Sequence, residues 1–222
     1  DNFESWPESA TYGYFGGGFN PGLPNYVNTV DRIDFSNETT SAPGNNLPQA
    51  RYSLAAVSSS SYGYFGGGST AVPFSSYSIE TTLSTVDRID FSSETLSLPG
   101  NNLPQAKDDS ATVSSSSYGY FGGGFFTPPF TYIDTITRFD FSNETTSAPG
   151  NNLPQARSSL AAVSSDSYGY FGAGYNYPPP SGPAVYYNTI DRIDFSSETT
   201  SAPGNNLPQA KYQLAAVSSS SY

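Results

Sequence analysis

The residues that could do chemistry in this sequence are carboxylates and a few basic side chains, because histidine, cysteine and methionine are absent. All eight basic residues fall at two repeated positions. The first position holds Arg32, Arg88, Arg138 and Arg192, and the second holds Arg51, Lys107, Arg157 and Lys211. Basic residues that recur at the same position of every unit usually have a structural role, so we expect them to form ion pairs within a unit or between adjacent units. The expected partners of the first set are Asp34, Asp90, Asp140 and Asp194. A set of arginines that binds an anionic ligand is the alternative.

Catalysis is not expected from these residue types. A serine nucleophile lacks its usual imidazole base, and the soft metal ligands are missing. Carboxylates could form a glycosidase pair or a calcium site, but here they recur in every unit instead of forming one specific pair. The Gly triplets lack the Lys-Ser or Lys-Thr of a phosphate-binding loop, and they indicate strand-end turns with positive φ. We therefore predict a protein that is not an enzyme and uses no cofactor and no metal, with a carboxylate-based glycosidase as a remote alternative.

Aromatic residues are concentrated in the segments where the units differ most, at 19–28, 69–84, 125–134 and 175–188. If the units are equivalent, these segments emerge on one face, and variable loops on a constant scaffold are where recognition usually resides. We expect this face to bind a glycan or a protein partner, whereas packing of the rings on their own loops is the alternative. The candidate residues are Phe19, Tyr26, Phe74, Tyr77, Phe125, Phe126, Phe130, Tyr132, Tyr175, Tyr177, Tyr186 and Tyr187.

Two acceptor sequences for N-glycosylation, at Asn37 and Asn143, occupy one repeat position. They matter only in a protein that passes through a secretory route.

The elements that must position these residues come from four near-identical units of about 50 residues. The motif Tyr-Gly-Tyr-Phe-Gly begins at Tyr12, Tyr62, Tyr118 and Tyr168. We divide a single domain, 1–222, into unit 1 (11–52), unit 2 (53–108), unit 3 (109–158), unit 4 (159–211) and a terminal segment (212–222). In unit 2, runs of aromatic and β-branched residues alternate with Gly, Pro and Asn, and this pattern predicts four strands, at 53–59, 62–66, 85–91 and 95–98. The same punctuation excludes long helices.

The unit resembles the kelch repeat. The resemblance rests on Leu54-Ala55-Ala56-Val57, on Tyr64-Phe65-Gly66-Gly67, on Val86-Asp87-Arg88-Ile89-Asp90 and on Gln105-Ala106-Lys107. It implies an all-β, four-bladed kelch-like β-propeller, although the Trp common in the fourth kelch strand is missing. The amino-acid sequences of the motifs are also similar to those of tandem kelch-like proteins of aquatic phages and algal viruses. This resemblance implies an extracellular or virion-surface role in adhesion or in a fibre.

The two chain ends are complementary in this arrangement. Unit 1 begins at the aromatic strand, and the segment 212–222 supplies one extra first strand. Pairing of the two would close the ring and protect both sheet edges. The alternative is pairing with a second molecule, which would build a head-to-tail filament by strand addition.

The formal net charge of −11 disfavours nucleic acid as a partner, because phosphate and protein would repel each other. No apolar run is long enough for a spanning helix, so membrane insertion is not expected. We therefore expect a non-catalytic binding or structural module, with a self-assembling filament protomer as the alternative.

Overall fold

A computed structural model describes residues 11–21, 26–74, 77–127, 129–178 and 182–219, without the side chains of 71–74 and 77–79. Within these residues the chain is all-β, with antiparallel strands and no helix, as predicted. Unit 1 contains β1 (Tyr12–Phe19), β2 (Tyr26–Asp34) and β3 (Thr39–Ser41). Unit 2 contains β4 (Ala55–Ser58), β5 (Tyr62–Gly66), β6 (Ser69–Phe74), β7 (Tyr77–Thr82), β8 (Val86–Asp90) and β9 (Leu96–Ser97).

Units 3 and 4 repeat this order. Unit 3 contains β10 (Ala111–Ser114), β11 (Tyr118–Gly122), β12 (Phe125–Phe126), β13 (Thr131–Tyr132), β14 (Ile136–Asp140) and β15 (Thr146–Ser147). Unit 4 contains β16 (Ala161–Ser164), β17 (Tyr168–Gly172), β18 (Tyr175–Asn176), β19 (Val185–Tyr186), β20 (Ile190–Asp194) and β21 (Thr200–Ser201).

Each of units 2, 3 and 4 forms one four-stranded antiparallel sheet. In unit 2 the order is β4-β5-β8-β9, which matches the four predicted strands. We call the β1–β3 sheet sheet 1 and those of units 2, 3 and 4 sheets 2, 3 and 4. The hairpins β6–β7, β12–β13 and β18–β19 were not predicted, because their Pro-rich and Ser-rich sequences resemble loops.

In units 2, 3 and 4 the second strand of the sheet ends directly before a left-handed residue of the Gly triplet, whereas in unit 1 the equivalent Gly17 forms a bulge within β1. Gly123 has a φ of 66°, and a Cβ there would lie only 2.7 Å from the carbonyl oxygen of Arg157. Unit 4 has Ala173 at this position with a φ of 64°, a conformation that costs an L-residue roughly 1–2 kcal/mol.

The hydrophobic core lies between successive sheets. Three clusters of buried side chains each straddle two neighbours: sheets 1 and 2, sheets 2 and 3, and sheets 3 and 4. Phe121 of sheet 3 lies over Gly66 of sheet 2, where an added Cβ would come within 2.6 Å of the ring. Glycine is required here because the backbone of one sheet approaches the aromatic ring of the next.

The first strands gather around a common centre. A backbone ladder crosses the units there, from Asp109 N to Ser53 O (3.1 Å), from Ser159 N to Asp109 O (3.0 Å) and from Gln213 N to Ser159 O (2.9 Å). Val57, Val113, Val163 and Val217 line a cavity of about 430 Å³ at this centre. The sheets are therefore arranged like blades.

Ring closure is not confirmed. Sheet 1 has three strands, and in the described part of 212–222 no residue belongs to a strand or pairs with β1. Val217 is 93% exposed, whereas Val57 and Val113 are buried, because no further sheet covers it. The arc of four sheets is open in the described residues.

Candidate functional site

The first set of arginines joins neighbouring units, but with a different partner from the one expected. Arg32 pairs with Glu94 at 2.7 Å, and the pairs Arg88–Glu144 and Arg138–Glu198 repeat this contact. The Glu is held on a tight turn with positive φ in the following unit, where it also accepts a hydrogen bond from a buried or half-buried Tyr hydroxyl. The prediction of ion pairs with Asp34, Asp90, Asp140 and Asp194 was wrong about the carboxylate.

The four Asp residues stabilise turns instead. Asp34 Oδ1 accepts hydrogen bonds from the backbone N of Ser36 (2.8 Å) and from its hydroxyl (2.6 Å). These bonds lower the pKa of Asp34 because they favour the ionised form. Asp90, Asp140 and Asp194 form the same turn with Ser92, Ser142 and Ser196. These bonds hold each carboxylate on its own turn, and among the described residues the arginine pairs with the Glu of the neighbouring unit instead.

At the second basic position Arg51, Lys107 and Arg157 lie buried under the next unit, whereas Lys211 is exposed. Arg51 pairs with Asp87 and Arg157 with Asp191, both at 2.6 Å. Burial lowers the pKa of Arg51 and raises that of Asp87, since desolvation outweighs their mutual attraction. These contacts are architectural, because each cation is completely surrounded by protein.

The three hairpins position the aromatic side chains. Each hairpin connects the second and third strands of its sheet, and its first strand pairs with the preceding inter-unit segment through the bridges Tyr52↔Ser69, Asp108↔Phe125 and Ser158↔Tyr175. Thr82 Oγ1 donates to Thr127 O at 3.1 Å and so joins the hairpins of units 2 and 3. The hairpins therefore follow one another along the same side of the arc.

Seven aromatic rings form a continuous surface, which we call the aromatic belt. Its members are Phe125, Phe130, Tyr132, Tyr175, Tyr177, Tyr186 and Tyr212. The contact between units 3 and 4 is Tyr132 to Tyr175, with ring centroids 5.6 Å apart. Phe130 is 83% exposed and Tyr177 is 52% exposed. A row of touching rings that keeps exposed faces is a surface suited to a flat, partly apolar ligand.

A smaller cluster lies at the start of the arc. Phe19, Tyr26 and Tyr52 contact one another, and the Tyr26 and Tyr52 rings stack at 5.1 Å. Both hydroxyls donate to Glu80 Oε1 on β7, at 3.4 Å and 2.9 Å. Burial and the bond to Glu80 raise the pKa of Tyr52.

Four of the candidate aromatics do not belong to either cluster as described. Tyr187 lies under the guanidinium of Arg157 at 5.6 Å, so it packs against the scaffold. Phe126 is half-buried in β12. Phe74 and Tyr77 have side chains outside the described residues.

Sequence reasoning missed Tyr52, Tyr212 and Glu80. The sequence contains a signal for the two tyrosines, because Tyr52 and Tyr212 each follow a basic residue of the second repeat position. Asp108 and Ser158 take that place in the other units.

Asp108 is a buried carboxylate that the repeat pattern does not explain. It accepts a short hydrogen bond from the hydroxyl of Ser69, and its Oδ1 has no hydrogen-bond partner among the described residues. Burial raises the pKa of Asp108 to about 7, despite that bond. Asp109 and Glu80 add to the rise through charge repulsion.

The two glycosylation candidates lie in exposed turns. Asn37 Oδ1 accepts from the backbone N and hydroxyl of Thr39, at 2.9 Å and 2.6 Å, and Asn143 does the same with Thr145.

Two kinds of site are not found in the part of the chain that the structure describes. Three or more acidic side chains do not come together there as metal ligands. No described segment forms a helix of the length and hydropathy needed to cross a membrane.

The comparisons with known proteins show the fold alone. Neither a protein-family model nor a curated protein matches the chain. Among solved structures, the chain is similar to one titled "Structure of YjhT", with a TM-score of 0.72 and 13% identity. The match covers 92% of this chain and 70% of that one. The likeness is consistent with a β-propeller of kelch-like type.

Proposed function

We propose that this protein is a non-catalytic binding module that takes neutral carbohydrate on the aromatic belt. The observation that carries the proposal is the continuous contact of seven partly exposed rings, six from units 3 and 4 and one, Tyr212, from the terminal segment. Sugar rings present flat C–H faces edged by hydroxyls, and aromatic faces edged by Tyr hydroxyls match both parts. The rings already touch one another, so little side-chain freedom is lost on binding.

Charge restricts the ligand further. The net charge of −11 repels anionic glycans at a distance, and ion pairs of the scaffold leave no arginine in the belt. Neutral oligosaccharides are therefore favoured over sulfated or sialylated ones. A protein partner with an apolar, weakly basic surface is the competing ligand.

The setting that we propose is extracellular or on a virion surface. What supports it is the resemblance of the repeat motifs to kelch-like proteins of phages and algal viruses, together with the exposed aromatic rings on the hairpin side of the arc. The kelch assignment itself belongs to this proposal.

Electrophoresis of the protein through gels that contain a panel of neutral polysaccharides tests the binding. We expect at least one polysaccharide to slow the wild type, and the double variant Phe130→Ala/Tyr177→Ala to lose roughly tenfold in affinity. Leu98→Ala is the control, because Leu98 is an exposed apolar side chain directly after the outer strand of sheet 2. Migration that no neutral polysaccharide slows, or equal slowing of the belt variant, would refute the proposal.

A further inference from the structure

The same set of side-chain contacts, which we call the contact rule, recurs at each boundary between neighbouring units. A Phe of the following sheet covers a Gly of the preceding one: Phe65 over Gly16, Phe121 over Gly66 and Phe171 over Gly122. A second Phe stacks on a Tyr of the preceding sheet, with Tyr14–Phe91, Tyr64–Phe141 and Tyr120–Phe195 centroids 5.4–5.6 Å apart. An arginine and the same Tyr bind one Glu, as described above.

Among the described residues, sheet 1 presents the incoming half of this rule without a partner. Phe15, equivalent to the buried Phe65, is 65% exposed, and Phe35, equivalent to Phe91, is 52% exposed. Glu38 has a φ of 60° and its N donates to Asp34 O at 2.8 Å, so it adopts the same turn as Glu94. Asp31 is exposed, although its equivalents Asp87 and Asp191 are buried. We call Phe15, Asp31, Phe35, Glu38 and the edge of β1 that pairs with no described strand the leading face.

Sheet 4 presents the outgoing half. A Cβ at Gly172 would meet no described atom closer than 3.8 Å, so in the part of the chain that the structure describes no ring covers it as rings cover Gly16, Gly66 and Gly122. Arg192 bonds to Ser201 and lies over Tyr168, but among the described residues no carboxylate pairs with it or with Lys211. We call Tyr170, Gly172, Arg192, Lys211 and the segment 214–219 the trailing face.

The two faces complement each other in shape, charge and hydrogen bonding. Two exposed Phe rings meet an uncovered Gly and a half-buried Tyr, two carboxylates meet two cations, and a free strand edge meets an unpaired segment with a first-strand sequence. We infer that the leading face of one molecule docks on the trailing face of a second copy of this chain. In that contact Glu38 pairs with Arg192, Asp31 with Lys211, Phe15 covers Gly172, and 214–219 completes sheet 1 as its fourth strand.

This contact is heterologous, so a pair of copies retains one free leading face and one free trailing face, and the assembly either closes into a ring or extends. A second copy is the occupant because it carries the same side chains that make the three internal boundaries.

Charge reversal tests the pairing. Analytical ultracentrifugation of the wild type should show species larger than a monomer, with a share that rises with concentration. Glu38→Arg and Arg192→Glu should each raise the apparent dissociation constant at least about tenfold, because like charges then face each other. Ser93→Arg is the control, since it adds a positive charge on the corresponding turn of an internal unit at a position where units carry either Ser or Asn.

Mixing the two reversed variants gives the decisive result. Each variant repels itself, but in the mixture both contacts are attractive, one native and one reversed, so association should return. A wild type that stays monomeric at every concentration would overturn the proposal, as would a mixture that does not recover. Ring closure within one chain would instead give a monomer that each reversal destabilises and that mixing does not rescue. Carbohydrate binding by the belt is measured separately, so failure of one proposal leaves the other standing.

Discussion

Lys107 is a buried ammonium group whose titration should control stability in mild alkali. It occupies the second basic position, where Arg51 and Arg157 meet Asp87 and Asp191, but unit 3 has Thr137 in place of the carboxylate. Among the described residues its Nζ donates only to Thr135, at 3.2 Å and 3.3 Å. Burial lowers the pKa of Lys107 from 10.5 to about 8, although the carboxylate of Asp134 opposes this change.

The sign and size of the effect follow from linkage. Below about pH 8 both the folded and unfolded chains carry the proton, so the cost of burying the charge is fully present. As the pH rises, the folded state releases the proton first, and the free energy of unfolding increases. Between about pH 8 and about pH 9.5 the gain should be about 1.5 kcal/mol, because a difference of one bound proton contributes about 1.4 kcal/mol for each step of one in pH.

Urea unfolding at these two pH values measures the gain. Tyrosines such as buried Tyr64 and Tyr120 act in the opposite direction, because burial raises the pKa of both and the unfolded chain ionises first, about a quarter of each side chain by about pH 9.5. The gain from Lys107 is therefore read as the difference between the wild type and Lys107→Met at the two pH values. Lys107→Met should abolish the gain, and Thr137→Asp should reduce it by supplying the carboxylate that the other units have. The same change with pH in the wild type and in Lys107→Met would refute this account of the buried cation.

Three further predictions concern the scaffold. Asp108→Asn should raise the free energy of unfolding in urea by about 2 kcal/mol at about pH 8, because burial raises the pKa of the carboxyl to about 7. For the same reason the free energy of unfolding of the wild type should fall as the pH rises from about 4 to about 7, and a flat pH profile would contradict this account. Ala173→Gly should raise the free energy of unfolding by about 1 kcal/mol by relieving the left-handed Ala, and a lower melting temperature would count against that strain. Phe121→Ala should lower the free energy of unfolding by roughly 3–5 kcal/mol, because Phe121 is buried, and Phe15→Ala should lower that of the monomer by less than about 1 kcal/mol, because Phe15 is exposed. Equal losses in the two variants would contradict this difference in burial.

The sheets could be predicted because their signal is local and repeated. Runs such as Tyr62–Gly66 combine aromatic residues with a terminal Gly, and one misread unit would be corrected by the other three. The hairpins could not be predicted, since β12–β13 has only two residues per strand and is held by bridges to the preceding unit, such as Asp108↔Phe125.

The ion pairs show the limit of reasoning from repeat positions alone. Asp34 and Glu38 lie in the same turn, and sequence cannot tell which carboxylate faces a neighbouring unit. The structure separates them because Ser36 satisfies Asp34 locally, whereas Glu94, the equivalent of Glu38, is directed across the boundary to Arg32. Local hydrogen bonding therefore decides which carboxylate pairs with the arginine. That hydrogen bonding depends on the next few residues of the turn rather than on the repeat period.

The same division between boundary and hairpin explains how one scaffold can carry a specialised surface. Boundary contacts such as Arg88–Glu144 recur almost unchanged, so any change there disturbs two sheets at once. Each hairpin is joined to the preceding inter-unit segment by a single backbone bridge, which does not depend on the side chain, and the hairpins differ in length, from the six-residue strands of β6–β7 to the two-residue strands of β18–β19. Variation can therefore accumulate in the aromatic belt at little cost to folding, and ligand selectivity should follow the hairpin sequences while stability follows the boundaries.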